Sequence, residues 1–235
     1  AQVYASDAGV SPSVEAQGAR LQSLGAAVQV GGHDIRRIAT AGIVVASPGI
    51  PPDAAPLTAA HAAGVPVISE IELALAEMPG QRYIAVTGTN GKTTVTALTA
   101  HLLRAVGEEA VAAGNIGMPL SEVALRPQAP AWVVLELSSF QLHDTPSINP
   151  RVGVLTNLSP DHLDRYGRVE DYYADKALLF RHATNASRWV VNADDPAVMD
   201  MVRPVRGVQH RFAVSGRLAD AFLGGAGNRT LIVRD

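Results

Sequence analysis

The chain has 235 residues, a formal net charge of -3, no cysteine, and 47% apolar against 17% charged residues. That balance excludes long disorder and the basic footprint of a nucleic-acid binder, while the missing thiols exclude disulfide frameworks, thiolate zinc sites and cysteine nucleophiles. The length suits two modest domains, no apolar run reaches the ~20 residues that span a bilayer, and the first residues lack the basic-then-apolar order of a leader, so a cytoplasmic protein with no membrane or nucleic-acid partner is expected.

In chain order, "QVYAS", "AAVQVGG", "AGIVVASPG" and "GVPVIS" are short Val- and Ile-rich segments separated by helical or turn-like stretches. This alternation predicts parallel strands joined by crossover helices. "SVEAQGARLQSLG" has the apolar spacing of an amphipathic helix ended by Gly25, and "IELALAEM" reads as a helix broken by Pro79-Gly80. Residues 1–80 are therefore expected to form one α/β domain and 81–235 another. A nucleotide-binding α/β half normally opens with strand, Gly-rich turn and helix. Here the opening strand is expected to be missing, and the chain to be incomplete.

The second domain starts with the strand "RYIAVTG" and a helix after Asn90, followed by "AVAAGNIG", "AWVVLELSS", "VGVLTNLS" and "RWVVNADD". These four buried-type strands end in Asn, Glu, Ser and Asp. Ligands of open α/β sheets bind beyond the carboxyl ends of strands, so these polar ends predict a site. "RFAVSGRLADAFLGGAGNRTLIVRD" reads as further strands with a Gly-rich turn.

Between the first strand and helix of this domain runs "GTNGKTT", residues 88–94. Gly88 and Gly91 let backbone N–H groups approach an anion, the helix start adds partial positive charge, Lys92 reaches outer phosphates, and Thr93 offers a hydroxyl to Mg²⁺. Thr89, Asn90 and Thr94 complete the expected cradle. A longer phosphate loop would carry glycine where Val86 stands. Of the 19 basic residues only Lys92 and Lys176 are lysines. Arginine cannot lose its charge, whereas a desolvated lysine can become a neutral, nucleophilic amine.

A phosphate loop alone serves kinases, GTPases and ligases alike. Read together, "TGTNGKTT", "GNIG", "LELSSFQL", "TNLSPDHLDRYG", "YYADKALLF" and "VVNADD", in this order, closely resemble the Mur ligase family, and the resemblance runs over essentially the whole chain. It implies a Rossmann-like UDP-binding domain followed by a P-loop NTPase-like ATP-binding domain. Its implied chemistry is ATP-dependent amide formation through an acyl phosphate in peptidoglycan precursor synthesis. "ELSSFQL" is most similar to the members that add D-glutamate to UDP-N-acetylmuramoyl-L-alanine. Glu136 would hold Mg²⁺ with Thr93. Oxygen chemistry alone favours Asp161 for a second Mg²⁺, but the resemblance assigns it to His162. Lys176 would be N6-carbamylated, giving a carboxylate near that metal. Asn115, Ser138 and Gln141 match positions that contact substrate or phosphates, although Ser-Ser is equally a polar turn with its own backbone bonds. Arg165 and Tyr166 belong to the signature and could simply brace the loop; Asn192, Asp194 and Asp195 either face the nucleotide or cap a helix.

The family's Asp-Thr-Arg stretch for the UDP group is replaced by Ser6-Asp7-Ala8. A C-terminal domain carrying the amino-acid site has no counterpart before Asp235, so negligible turnover is expected of the chain by itself, and the parent enzyme is expected to be a monomer. Rival expectations are a different Mur ligase, a folylpolyglutamate synthase, and a non-catalytic nucleotide-binding module.

Overall fold

The computed structural model describes residues 2–214, 219–226 and 229–234. Two compact units are present, Ala1–Ile68 and Ser69–Asp235. Among the described residues no helix is long and apolar enough to cross a membrane.

The first unit runs β1 (Tyr4–Asp7), α1 (Pro12–Ser23), β2 (Ala27–Val30), α2 (Ile35–Ala39), β3 (Val44–Ala46), α3 (Ala55–Ala62) and β4 (Val67–Ser69). Ser11 caps α1 by accepting from the Val14 N–H, Pro12 supplies the preset φ of a first helical residue, and Gly25 at φ 92° ends the turn that follows. β1 and β2 pair in parallel, as strand–helix–strand alternation requires. β3 and β4 form a second pair, and Ile38, Ala60 and Val65 make a small core.

The second unit continues with α4 (Glu70–Glu77), β5 (Tyr83–Thr87), α5 (Lys92–Ala105), β6 (Ala110–Gly114), α6 (Leu120–Ala124), β7 (Trp132–Glu136), α7 (Ser139–His143), β8 (Val152–Leu155) and α8 (Val169–Ala177). A 3₁₀ turn at Leu178–Phe180 leads to β9 (Arg188–Asn192), α9 (Pro196–Val202), β10 (Val208–Ala213), β11 (Ala221–Ala226) and β12 (Arg229–Arg234). The sheet order is β12-β11-β10-β9-β8-β5-β7-β6. Its recorded pairs from β6 to β11 are parallel, and β12 turns back antiparallel on β11. Of the closing stretch, 215–218, part of the Gly-rich turn at 227–228, and 235 lie outside the described residues.

The compact units divide at Ile68/Ser69 rather than near Pro79. Helix α4, read from sequence as the end of the first domain, buries Ile71 and Ala74, with Met78 just after it, in the same core as Leu120 and Val123 of α6. Ser69 caps it and bonds the Thr145 hydroxyl at 2.7 Å. Pro79-Gly80 breaks the helix without separating domains; it is the turn into β5.

Strands β5, β7 and β8 lie side by side at the centre, with Val86 level with Glu136 on one flank and with Val154 on the other. Everything that follows these three strands therefore leaves the sheet at one edge. The packing beneath is tight: an added Cβ at Gly153 would sit 2.6 Å from the ring of Trp189, itself edge-on to Phe180 at 4.8 Å. Gly153→Ala should lower unfolding free energy by ~1–3 kcal/mol through overpacking. Equilibrium denaturation checks this, and an unchanged midpoint would show that the indole can slide aside.

Candidate functional site

β5 ends at Thr87, and Gly88 follows at φ 144° with Gly91 at φ 79°, two conformations that glycine adopts without a Cβ penalty. At Gly88 space decides as well: a Cβ would collide with the Thr156 hydroxyl and lie 3.1 Å from the Asn157 backbone. Gly91 is the N-cap of α5, whose first residue is Lys92. This helix start leaves N–H groups without intrahelical partners, a ready anion cradle. Thr93 and Thr94 stand exposed on its first turn.

The loop is held from outside by the strand end after β8. The Thr89 N–H donates to the Asn157 carbonyl at 2.9 Å, and the Asn90 N–H to Asn157 Oδ1 at 2.8 Å. The Thr156 hydroxyl and Asn157 Nδ2 both donate to the Asn90 carbonyl, at 2.7 and 3.0 Å. Thr89 Oγ1 donates to the Ser159 carbonyl and accepts from the Ser159 N–H and the Tyr172 hydroxyl. Sequence reasoning gave Thr156, Asn157 and Tyr172 no role. They lie 66 to 83 residues from their partners, and a polar stretch after a strand reads only as a turn; the signal was the quoted "TNLS" at a strand's carboxyl end.

Both lysines converge on this loop. Lys92 Nζ donates to the Gly88 and Thr89 carbonyls at 3.1 and 2.8 Å, and Lys176 Nζ to the same Gly88 carbonyl at 2.7 Å. Lys176, on α8, is 1% exposed, with Nζ 4.6 Å from the Tyr172 ring centre. Burial, reinforced by the Lys92 charge and opposed by Asp161 and Asp175, brings its pKa down to about 7. Near neutral pH a large share of this amine is uncharged.

Glu136 ends β7 and is 1% exposed. Its Oε1 accepts from Asn115 Nδ2 at 3.1 Å, its carbonyl from the Asn115 N–H, and no Lys or Arg pairs with it among the described residues. A buried carboxylate with only an amide donor suits a cation. No three His, Cys, Asp or Glu gather into a metal cluster among the described residues. One carboxylate, a hydroxyl and ligand phosphates are a set that Mg²⁺ accepts, since it keeps much of its water. In its amine form Lys176 offers that ion no anionic oxygen.

His162 takes φ 53°, a left-handed backbone that costs a non-glycine residue roughly 1–2 kcal/mol. Its N–H donates to Asp161 Oδ1, and its carbonyl accepts from the Arg165 and Tyr166 N–H groups. The ring lies edge-on to Phe140 at 5.5 Å and Tyr172 at 5.8 Å. Tyr172 thus meets both the His162 ring and the Lys176 amine. Ser138 and Gln141 occupy each other in a capping box at the start of α7. Asn192 Nδ2 donates to the Thr156 carbonyl, while Asp195 caps α9 and accepts from the Leu158 N–H.

The family model of the Mur ligase middle domain matches residues 86–222. The chain is 40% identical over 201 residues to the UDP-N-acetylmuramoylalanine--D-glutamate ligase of Thermosynechococcus vestitus, covering 83% of this chain and 44% of that protein. It spans about half the length of the curated relatives it matches. Among solved structures, the UDP-N-acetylmuramate:L-alanyl-gamma-D-glutamyl-meso-diaminopimelate ligase of Neisseria meningitides superposes with a TM-score of 0.67 at 20% identity, covering 99% of this chain and 76% of that one. MurF ligase from Thermotoga maritima, in complex with ADP, gives 0.56 at 20% identity over 76% of this chain and 51% of its own. At those identities the structures attest the fold alone.

Between pH of about 7 and the ordinary 10.5 the unfolded chain holds more of a proton at position 176 than the folded one. Stability from this group therefore falls as pH drops through that window and levels off below about 7, with a slope of at most ~1.4 kcal/mol per pH unit. Lys176→Met should lack this slope. Denaturation free energies of both proteins in CO₂-free buffer at about pH 7 and about pH 9 measure it, and parallel pH curves would show Lys176 to be an ordinary amine.

Proposed function

The chain belongs to the Mur ligase family, and from that premise we propose that it is the nucleotide-binding part of an ATP-dependent ligase that joins D-glutamate to UDP-N-acetylmuramoyl-L-alanine. The observation that carries the reading is the meeting of both lysines at the Gly88 carbonyl, in a loop opening onto the exposed start of α5. The choice of D-glutamate is supported by the 40% identity to a ligase named for that amino acid.

The reaction asks little covalent chemistry of the protein: the muramoyl-alanine carboxylate oxygen attacks the γ-phosphorus, the bond to ADP breaks, and the resulting acyl phosphate is opened by the D-glutamate amine with loss of phosphate. Positioning and charge neutralisation supply the catalysis. The loop N–H groups and the start of α5 would hold the β- and γ-phosphates, with Lys92 turning from the loop carbonyls to the phosphate oxygens. Thr93 and Glu136 would hold one Mg²⁺, and His162 with Lys176 a second; such ions would supply charge neutralisation to the phosphate and carboxylate oxygens. Lys176 needs a carboxylate for that duty. Its neutral amine adds to CO₂, forming an N–C bond and releasing one proton, and the product is a carbamate. Asn115, next to Glu136, and the Ser138–Gln141 box would orient substrate oxygens. Residues 1–68 would bind the UDP end of the substrate, with Ser6-Asp7-Ala8 at the end of β1, and 69–235 the ATP.

The intact gene product should release phosphate from ATP with UDP-N-acetylmuramoyl-L-alanine and D-glutamate, with kcat/KM lower by ~100-fold or more for other amino acids. Preference for a different amino acid, or for a folate substrate, overturns the assignment. Lys176→Ala should be inactive and partly restored by bicarbonate or short carboxylic acids. Restoration by amines instead would identify a missing cation.

A further inference from the structure

Asp175 adjoins Lys176 in sequence but its carboxylate reaches elsewhere. Its Oδ1 is 2.8 Å from His143 Nδ1, and its Oδ2 accepts from the Tyr166 hydroxyl at 2.8 Å. Because a carboxylate only accepts, Nδ1 of His143 carries the proton. The hydrogen bond to Asp175 raises the His143 pKa, against burial and Arg181 and with help from Asp144. Burial, above all, keeps the Tyr166 phenol protonated far beyond its ordinary range, so it stays a donor. Asp175 is 16% exposed.

One side chain therefore joins three pieces of backbone: α8, the last residue of α7, and the turn that opens at His162. Tyr166 lies stacked on Phe140 with centroids 5.3 Å apart and planes 10° apart, and the Arg165 guanidinium lies 4.3 Å from the centre of the same ring. Phe140 in turn meets the His162 imidazole. A residue in left-handed backbone keeps that conformation only where its surroundings over-determine it. Around His162 these surroundings are the Asp161 carboxylate, which accepts from its N–H and lies 3.7 Å from its Nε2, the carbonyl bonded by two N–H groups, and the two rings, Phe140 and Tyr172, that Tyr166 also touches.

We propose that Asp175 is a positioning residue that fixes the His162 imidazole by clamping Tyr166 and His143 to α8. It acts through Tyr166 and the Phe140 ring. The inference rests on the ligase reading for the use made of His162, but the clamp is a property of the metal-free protein.

Two measurements test it on the intact gene product. In the metal-free, nucleotide-free protein the ring protons of His162 should resonate away from their solvent values because of the flanking rings, and Asp175→Ala and Tyr166→Phe should each return them toward those values. In turnover each variant should lower kcat by ~10–100-fold while KM for ATP changes less than ~3-fold, the double variant should be no worse than the worse single one, and Asp175→Glu should recover part of the loss. If Asp175→Ala does not fold, Tyr166→Phe, which removes one oxygen, decides alone. Unmoved His162 resonances with wild-type kcat, or losses that multiply in the double variant, overturn the clamp and leave the ligase reading intact. An inactive wild type overturns the ligase reading, and the resonances still judge the clamp.

Discussion

The carbonyl oxygen of Gly88 accepts from both lysines of the chain. Two ammonium groups crowded on one oxygen repel each other, and one of them is sealed from water. Burial first, with that repulsion added, favours loss of the proton from the sealed group, so Lys176 tends toward a neutral amine. The same oxygen belongs to a glycine whose missing side chain is what admits Thr156 and Asn157 against the loop. Loop shape, lysine chemistry and the strand end after β8 are in this sense one constraint seen from three sides.

That constraint explains a compositional oddity. A chain that uses arginine for 17 of its 19 basic residues, the two lysines apart, keeps lysine at the two positions facing Gly88. At 92 a compact point charge on a flexible stem can leave the loop carbonyls for a phosphate. At 176 only a group able to lose its proton tolerates burial beside another cation, and an arginine there would remain charged.

Local features were legible in the sequence: the glycine turn, the helix opening at Lys92, the strands with polar ends, and the acid at 136 closing one of them. What escaped was long-range. The Asn90–Asn157 clasp joins residues 67 apart, and neither asparagine carries a pattern that names its partner. Helix α4 was assigned to the wrong side of a boundary because Pro-Gly marks a break in the chain equally well within a domain and between two. Ser138 and Gln141 show a third limit, since a capping pair and a substrate pair use the same atoms. The tie from Asp175 to Tyr166 and His143 had no signature either: its members come from three separate elements, and only packing brings them together.

With just two lysines, selective ¹³Cε labelling of lysine yields two signals, so the proton on each amine can be followed separately. In CO₂-free buffer the account predicts that the Lys176 signal titrates near the value of about 7 set by its surroundings, and that Lys92→Met shifts this midpoint upward by removing the neighbouring charge. A Lys176 signal that stays protonated up to the ordinary 10.5, indifferent to Lys92, would contradict the claim that the phosphate loop and a neutral amine share one oxygen.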